Sequence, residues 1–240
     1  MKKRLLFIFF ILMILLPAQA FSWTWTPLQL AVWEPIQLFP EKFDVYGIRM
    51  NLVYGSNQNL TGLDIGGVNV VAEKQTGGQL GLINISENSL GGCAGLMNYT
   101  SNLCGMQFGL LNTAQNSLSG LQAGFFLNLT DFVRGFQLHW GILGNGAVRV
   151  DGAQLVSLVG YNLTDELNGV QMAMLGFNFT AENAYGVQFA MLYNYARNMK
   201  GVQFALVNAC ESLSGVQIGL VNVIRKDDKM SIMPLLNFRF

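Results

Sequence analysis

The sequence predicts an all-β protein built from many copies of one strand-forming unit. Three observations predict it. Glycines recur every 14 to 17 residues, apolar and small or polar residues alternate after each glycine, and turn-forming residues separate the units. A fixed period of this kind is typical of repeat architectures, in which each copy has the same structural role.

The first twenty residues have the layout of a secretory signal peptide. A basic start is followed by an unbroken apolar run over 5–16 and by Ala18-Gln19-Ala20, whose small residues suit a cleavage site. The apolar run is shorter than the roughly 20 residues that span a bilayer. We therefore expect 1–20 to be a cleaved signal peptide and 21–240 to form a single repeat-built β domain.

Composition excludes some classes of partner. Without the three basic residues of the predicted signal peptide, 11 Lys and Arg stand against 14 Asp and Glu, so the domain is no polycation and we expect no nucleic-acid partner. Charged residues make up only 12% of the chain and hydrophobic residues 51%. So little charge is unusual for a water-exposed surface, and it indicates a second apolar environment such as lipid or a neighbouring chain.

The repeat is clearest from Gly215 to Asn222, which reads GVQIGLVN. Nine of the twelve copies have Gln two residues after the anchor glycine, and the spacings between anchors are 15, 15, 14, 14, 15, 15, 17, 17, 17, 15 and 14. The anchors are Gly47, Gly62, Gly77, Gly91, Gly105, Gly120, Gly135, Gly152, Gly169, Gly186, Gly201 and Gly215.

Each unit begins with a period of two. In the copy that starts at Gly201, Val202, Phe204 and Leu206 alternate with Gln203 and Ala205. Successive side chains of a strand point to opposite faces, so this pattern predicts one apolar face and one small, polar face. Asn, Ser, Thr, Asp and Gly between the units predict turns.

The unit resembles that of the bacterial surface-repeat proteins first named from spirochaetes, whose copies read G-L-Q-L-G-L-V-N. The segments 29–52 and 234–240 also look like the opening and the close of that family. The resemblance implies export to the outer membrane or cell surface of a Gram-negative-type bacterium, and it implies no activity. The units from Gly135 to Gly186 are longer and lose the regular asparagine.

We predict an antiparallel β-barrel of about 14 strands, made of twelve units with an entry strand and a terminal strand. Its apolar face would meet outer-membrane lipid and its Gly/Gln face would line a lumen. Leu236, Phe238 and Phe240 share one face of the last strand and resemble an outer-membrane assembly signal, so the expected partners are lipid and the barrel assembly machinery.

The alternative is a β-solenoid in which each unit of 14–17 residues is one coil. Asn69, Asn84, Asn98 and Asn112 would then stack into a ladder at one corner. The pairing of neighbouring units separates the two predictions, because a barrel needs antiparallel pairs and a solenoid needs parallel ones.

Candidate reactive residues are few. His139 is the only histidine, and Ser157 is the nucleophile it would serve in a barrel hydrolase, but no G-x-S-x-G motif occurs. The charged residues around the long units suit a binding loop, a charged constriction or solvated turns. They are Arg134, Arg149, Asp151, Asp165 and Glu166.

Cys93, Cys104 and Cys210 are spaced without pattern, which predicts packing residues and leaves a Cys93–Cys104 disulfide open. No metal-ligand spacing, phosphate loop or dinucleotide motif occurs, and we expect no cofactor. The sequence therefore predicts a non-enzymatic outer-membrane or cell-surface protein, structural or porin-like. The alternative is a secreted solenoid that acts in adhesion or binding. The ligand stays undetermined.

Overall fold

The computed structural model describes residues 24–226 and 229–240. The predicted signal peptide and its cleavage site lie outside the described residues. No helix long and apolar enough to cross a bilayer occurs in the described ranges.

The described residues form nine strands in one sheet that winds around the molecule. The long strands bend at the corners and continue through two or more coils. The strands are β1 (Trp25–Trp33), β2 (Ile36–Gln37), β3 (Asp44–Asn51), β4 (Tyr54–Ala94), β5 (Met97–His139), β6 (Gly144–Ala190), β7 (Tyr193–Phe204), β8 (Val207–Lys226) and β9 (Lys229–Arg239). Their order in the sheet is β2-β1-β3-β4-β5-β6-β7-β8-β9.

Neighbouring coils pair in parallel and in register with the repeat. Gly91 of β4 lies opposite Gly105 of β5, and Gly186 lies opposite Gly201 in the same way. Equivalent residues therefore stack on one another, as in a β-solenoid. The barrel of about 14 antiparallel strands is wrong, and the alternative is confirmed.

The two ends of the stack differ from its middle. β2 pairs antiparallel with β1 at one end, and β9 pairs antiparallel with β8 at the other. Leu236 and Phe238 lie opposite Ile218 and Val216 of β8, and Phe240 follows the strand. Since β9 and β2 stand at opposite ends of the sheet, the described strands do not close into a barrel. An assembly role for these residues stays a prediction. The barrel in which they would have that role is absent from the described strands.

The anchor glycines allow the coils to approach closely. Gly105 has a φ of +144°, which side chains rarely adopt, and a Cβ there would lie 1.8 Å from the carbonyl oxygen of Gly91. The twelve anchors share this left-handed conformation. The strict glycine of the repeat thus reflects both the conformation and the contact with the coil before it.

The alternation of side chains is as predicted, but the environments of the two faces are not. The glutamines of the repeat are fully buried in a filled interior, whereas many large apolar residues after the anchors are exposed. The prediction that the Gly/Gln face lines a lumen is therefore wrong. The largest cluster of apolar interior residues runs through the stack on the side away from the corner after each anchor, and two smaller clusters lie elsewhere in the interior. The largest cluster includes Leu103, Leu118, Val133, Leu167 and Met199.

Candidate functional surface

An asparagine ladder runs through the stack beside one corner of the coils. Each side-chain nitrogen donates to the side-chain oxygen of the asparagine in the next coil, over 2.6 to 3.0 Å. The ladder is Asn51, Asn69, Asn84, Asn98, Asn112, Asn128, Asn145, Asn162, Asn178, Asn194, Asn208 and Asn222. The four asparagines predicted to stack are among them. The long coils keep their asparagine too, at a later position, so its expected loss there is wrong.

The asparagines also satisfy the backbone where the chain enters the corner. Asn98 Nδ2 donates to the carbonyl oxygen of Phe108 over 2.8 Å, and Asn208 does the same to Ile218 over 2.9 Å. Backbone amides within the corner donate to the coil before, as Leu96 does to Leu82 over 2.9 Å. These backbone groups of the corner are thus paired inside the protein.

A glutamine ladder runs parallel to the asparagines, with its hydrogen bonds in the opposite direction. Gln137 Nε2 donates to Gln122 Oε1 over 2.9 Å, toward the preceding coil. The bonds repeat from Gln107 to Gln217 at 2.7 to 3.0 Å. An amide both donates and accepts, so identical side chains can form an unbroken chain of bonds.

A buried ion pair replaces the glutamines at the N-terminal end of this ladder. Arg49 Nε donates to Asp64 Oδ1 over 2.8 Å and Arg49 Nη2 to Asp64 Oδ2 over 2.5 Å, with both side chains fully buried. Arg49 also bonds Asn57 and the carbonyl of Val70, and Gln79 donates to Asp64 over 3.2 Å. Because their partners are supplied within the protein, these two charges have a structural role.

The outer surface of the corner is apolar along the stack, and we call it the apolar edge. The large apolar side chains exposed on it are Leu52, Val53, Leu82, Leu96, Met97, Leu110, Phe125, Trp140, Ile142, Leu143, Leu158, Val159, Met174, Leu175, Met191, Leu192, Leu206, Leu220 and Val221. Monomeric soluble proteins rarely expose a continuous apolar patch of this size, so the edge is the main candidate functional surface.

The three long coils enlarge this edge. Their extra residues lie before the ladder asparagine, in the segments 140–143, 157–160 and 174–176. Surface turns are normally rich in Asn, Asp, Ser and Pro. Here the inserted residues are mostly large and apolar, and those such as Ile142 and Leu158 are more than half exposed.

Charged residues lie on the opposite side of the coils. Every charged residue between 65 and 225 comes at least three residues after the ladder asparagine of its coil and before the next anchor glycine. Arg149 Nε lies 3.4 Å from Asp151 and its Nη1 3.7 Å from Glu166, and these groups are partly exposed. The guanidinium of Arg134 lies 5.2 Å from the ring of Phe132. We call this side, which runs from the third residue after each ladder asparagine to the next anchor glycine, the polar edge. The predicted charged cluster is an exposed strip on it, and the filled interior of the described coils leaves no constriction for the cluster to line.

His139 and Ser157 lie in neighbouring coils, but the serine hydroxyl does not bond to the imidazole. His139 is fully buried in the interior and neither ring nitrogen has a hydrogen bond of regular geometry, although the backbone of Gly141 and Ile142 lies nearby. Burial lowers the pKa of His139 below its usual 6.5. Ser157 is exposed and donates to the backbone oxygen of His139 over 3.1 Å. No described geometry pairs this serine with the imidazole as a nucleophile with its base.

The three cysteines are free thiols, so the Cys93–Cys104 disulfide is absent. Cys93 and Cys210 are buried and pack in the interior as predicted, whereas Cys104 is exposed. Burial raises the pKa of Cys93 to about 11 and that of Cys210 to about 12. Among the described residues no group of three His, Cys, Asp or Glu side chains could hold a metal ion.

Searches with protein-family models, curated proteins and solved structures find no match to this chain. The resemblance to the surface-repeat proteins therefore stays a prediction.

Sequence reasoning did not identify the apolar edge as such. It identified an apolar face but assigned the corner to polar turns, although the signal was present. In the long units, Trp140, Ile142 and Leu143 stand between the strand and its asparagine, where a solvent-exposed turn would have polar residues.

Proposed function

We propose that this protein is a non-enzymatic, exported β-solenoid that acts at a cell surface by binding through its apolar edge. The observation that carries the proposal is the division of the surface into two sides. One corner exposes large apolar side chains along the stack, and the charged residues between 65 and 225 lie on the other side. A surface of this kind is typical of a protein that binds an apolar partner.

A filled interior is a further support for this proposal. The two amide ladders occupy the inside of the described coils, where a porin-like function would need an open channel. The absence of a hydrogen bond between Ser157 and the His139 ring favours binding over hydrolysis.

The binding proposal can be tested on intact cells. The purified protein is added to washed Gram-negative cells, and the amount retained after washing is measured. An edge variant carries Ile142→Asp, Leu158→Asp and Leu192→Asp, at side chains that are at least 50% exposed and therefore tolerate the change. We expect the parent to be retained and the edge variant to be washed off.

A matched control variant carries three equal charges on the polar edge, at Asn116→Asp, Asn168→Asp and Ser214→Asp, which are all exposed. It should be retained like the parent. Loss of the parent in the wash, or equal retention of all three proteins, would refute binding through the apolar edge. For the enzymatic rival, esterase activity that is present in the parent and lost in His139→Ala would refute the non-enzymatic assignment.

A further inference from the structure

We infer that the partner of the apolar edge is the lipid bilayer itself, and that the solenoid lies along the membrane with this edge inserted into the interfacial layer. The inference rests on the proposed function and names its partner. Coils stacked about 4.8 Å apart give the edge a length of roughly 55 Å between Leu52 and Val221. A peripheral protein can bind a membrane by burying an apolar surface of this kind to the depth of the acyl chains.

The edge is a wedge, because the surfaces on both of its sides are also apolar. On one side lie residues such as Leu80, Phe108 and Phe204. Each comes three residues after the anchor glycine of its coil, and all are exposed. On the other side stand Tyr99 and Leu129, each directly after a ladder asparagine, and both are exposed as well.

Hydrogen bonds across the coil show that these two surfaces face away from each other. Gln122 Nε2 reaches the carbonyl oxygen of Leu129 over 3.4 Å, and Gln188 Nε2 reaches that of Tyr195 over 3.0 Å. The stretch of chain before the corner and the stretch after it therefore pack with their inner sides together and their outer sides facing away from each other. A second copy of the chain laid on one surface would leave the other exposed to water, whereas lipid surrounds a wedge from both sides.

The backbone of the corner suits an apolar environment. A turn placed in hydrocarbon normally leaves amides and carbonyls without partners, at several kcal/mol for each group. Here Leu110 and Val221 donate their backbone amides to Leu96 and Leu206, both over 3.0 Å. The ladder asparagines donate to the carbonyls at the entrance of the corner. These backbone groups therefore keep their hydrogen bonds when the edge is inserted.

Tyrosines mark the boundary between the two sides. The ring of Tyr195 stacks on Phe179 with a centroid distance of 4.8 Å, while its hydroxyl donates to Glu211 over 3.1 Å. The hydroxyl of Tyr99 donates in the same way to Gln115. Tyrosine is favoured at the membrane–water interface, because its ring is apolar and its hydroxyl is polar.

The charge distribution predicts the kind of membrane. The charged residues between 65 and 225 lie on the polar edge, away from the proposed contact. Binding should therefore need neither anionic lipid nor low salt, in contrast to proteins that bind membranes through basic residues. Neutral phosphatidylcholine vesicles are a sufficient probe.

The test is flotation of the purified protein with phosphatidylcholine vesicles, at 0.05 M and 0.5 M salt. We expect the parent and the control variant to float equally at both salt concentrations. The edge variant should lose at least about 100-fold in partition coefficient, because three large apolar side chains lose their burial. Far-UV circular dichroism of the three proteins checks that the fold is unchanged, and a single Leu158→Asp variant serves if the triple variant does not fold.

Each other outcome overturns the inference. A parent that stays with the aqueous fraction refutes it, whether sedimentation shows a monomer or a dimer that the edge variant loses. Flotation that needs anionic lipid, or an edge variant that floats like the parent, also refutes it. Retention on cells without flotation overturns the lipid partner alone and leaves the proposed function standing.

Discussion

Replacing Asn112 by alanine tests the asparagine ladder. Its nitrogen donates to the carbonyl oxygen of Ala123 over 2.8 Å and to Asn128 over 2.9 Å, and its oxygen accepts from Asn98 over 2.8 Å. Each net bond contributes about 1 kcal/mol, and a buried group left without a partner costs about 1–3 kcal/mol. Because the carbonyl oxygen of Ala123 and the side-chain oxygen of Asn128 both lose the donor that Asn112 supplies, we expect a loss of about 3–5 kcal/mol in the free energy of unfolding.

Urea unfolding followed by circular dichroism measures this loss. At an m value of about 2.5 kcal/mol/M, the midpoint should fall by about 1.5 M. Asn116→Ala is the matched control, since Asn116 lies four residues further along the same coil and is exposed. Its effect should stay within about 0.5 kcal/mol. If the two variants unfold at the same urea concentration, the ladder does not stabilise the stack as argued.

Three further predictions follow from other buried groups. Asp64→Asn leaves the buried guanidinium of Arg49 without its carboxylate and should cost about 3–5 kcal/mol in urea unfolding. The double variant Arg49→Gln/Asp64→Gln should recover most of this loss by extending the glutamine ladder, and an absence of recovery would contradict that interpretation. A thiol reagent at pH 8 should label Cys104 alone in the native protein and all three cysteines in urea. The reason is that burial shields Cys93 and Cys210 from the reagent and raises their pKa. Labelling of all three thiols in the native protein would contradict the burial of these two. Burial lowers the pKa of His139, so the contribution of the neutral imidazole to stability is fully present above pH 6.5 and is lost as the pH falls through the lowered pKa. His139→Ala should therefore flatten the pH dependence of the free energy of unfolding between pH 7 and 5. An unchanged slope would contradict a buried, neutral His139.

The repeat, the strands and the turns could be predicted from local sequence, because alternation and glycine spacing report directly on backbone geometry. The asparagine ladder could also be predicted, as one of two alternatives. The choice between them depended on pairing between distant residues, on which Gly215-Val216-Gln217 carries little information: the pattern G-x-Q-x-G reads the same in both directions. Two other features weighed toward a barrel, the low charge and the terminal Phe240.

The candidate surface was harder to predict, because the usual relation between polarity and burial is inverted here. Gln137 and Asn128 are fully buried, while Phe136 and Leu129 beside them are exposed. Alternation shows that two faces differ, but it does not show which one points inward. A polar inner face is stable only when its groups pair with one another, and that depends on a parallel register between coils.

Parallel stacking explains both the interior and the surface. A parallel register places each residue against its own equivalent, so a polar inner position must hold a side chain that can bond to a copy of itself. Asn and Gln meet this condition, whereas like charges repel, and Arg49 and Asp64 are accordingly of opposite sign in successive coils. The amides share the interior with buried apolar residues such as Leu118 and Met199. The large apolar residues of the apolar edge lie outside this interior and do not serve core packing, and we propose that an apolar partner covers them.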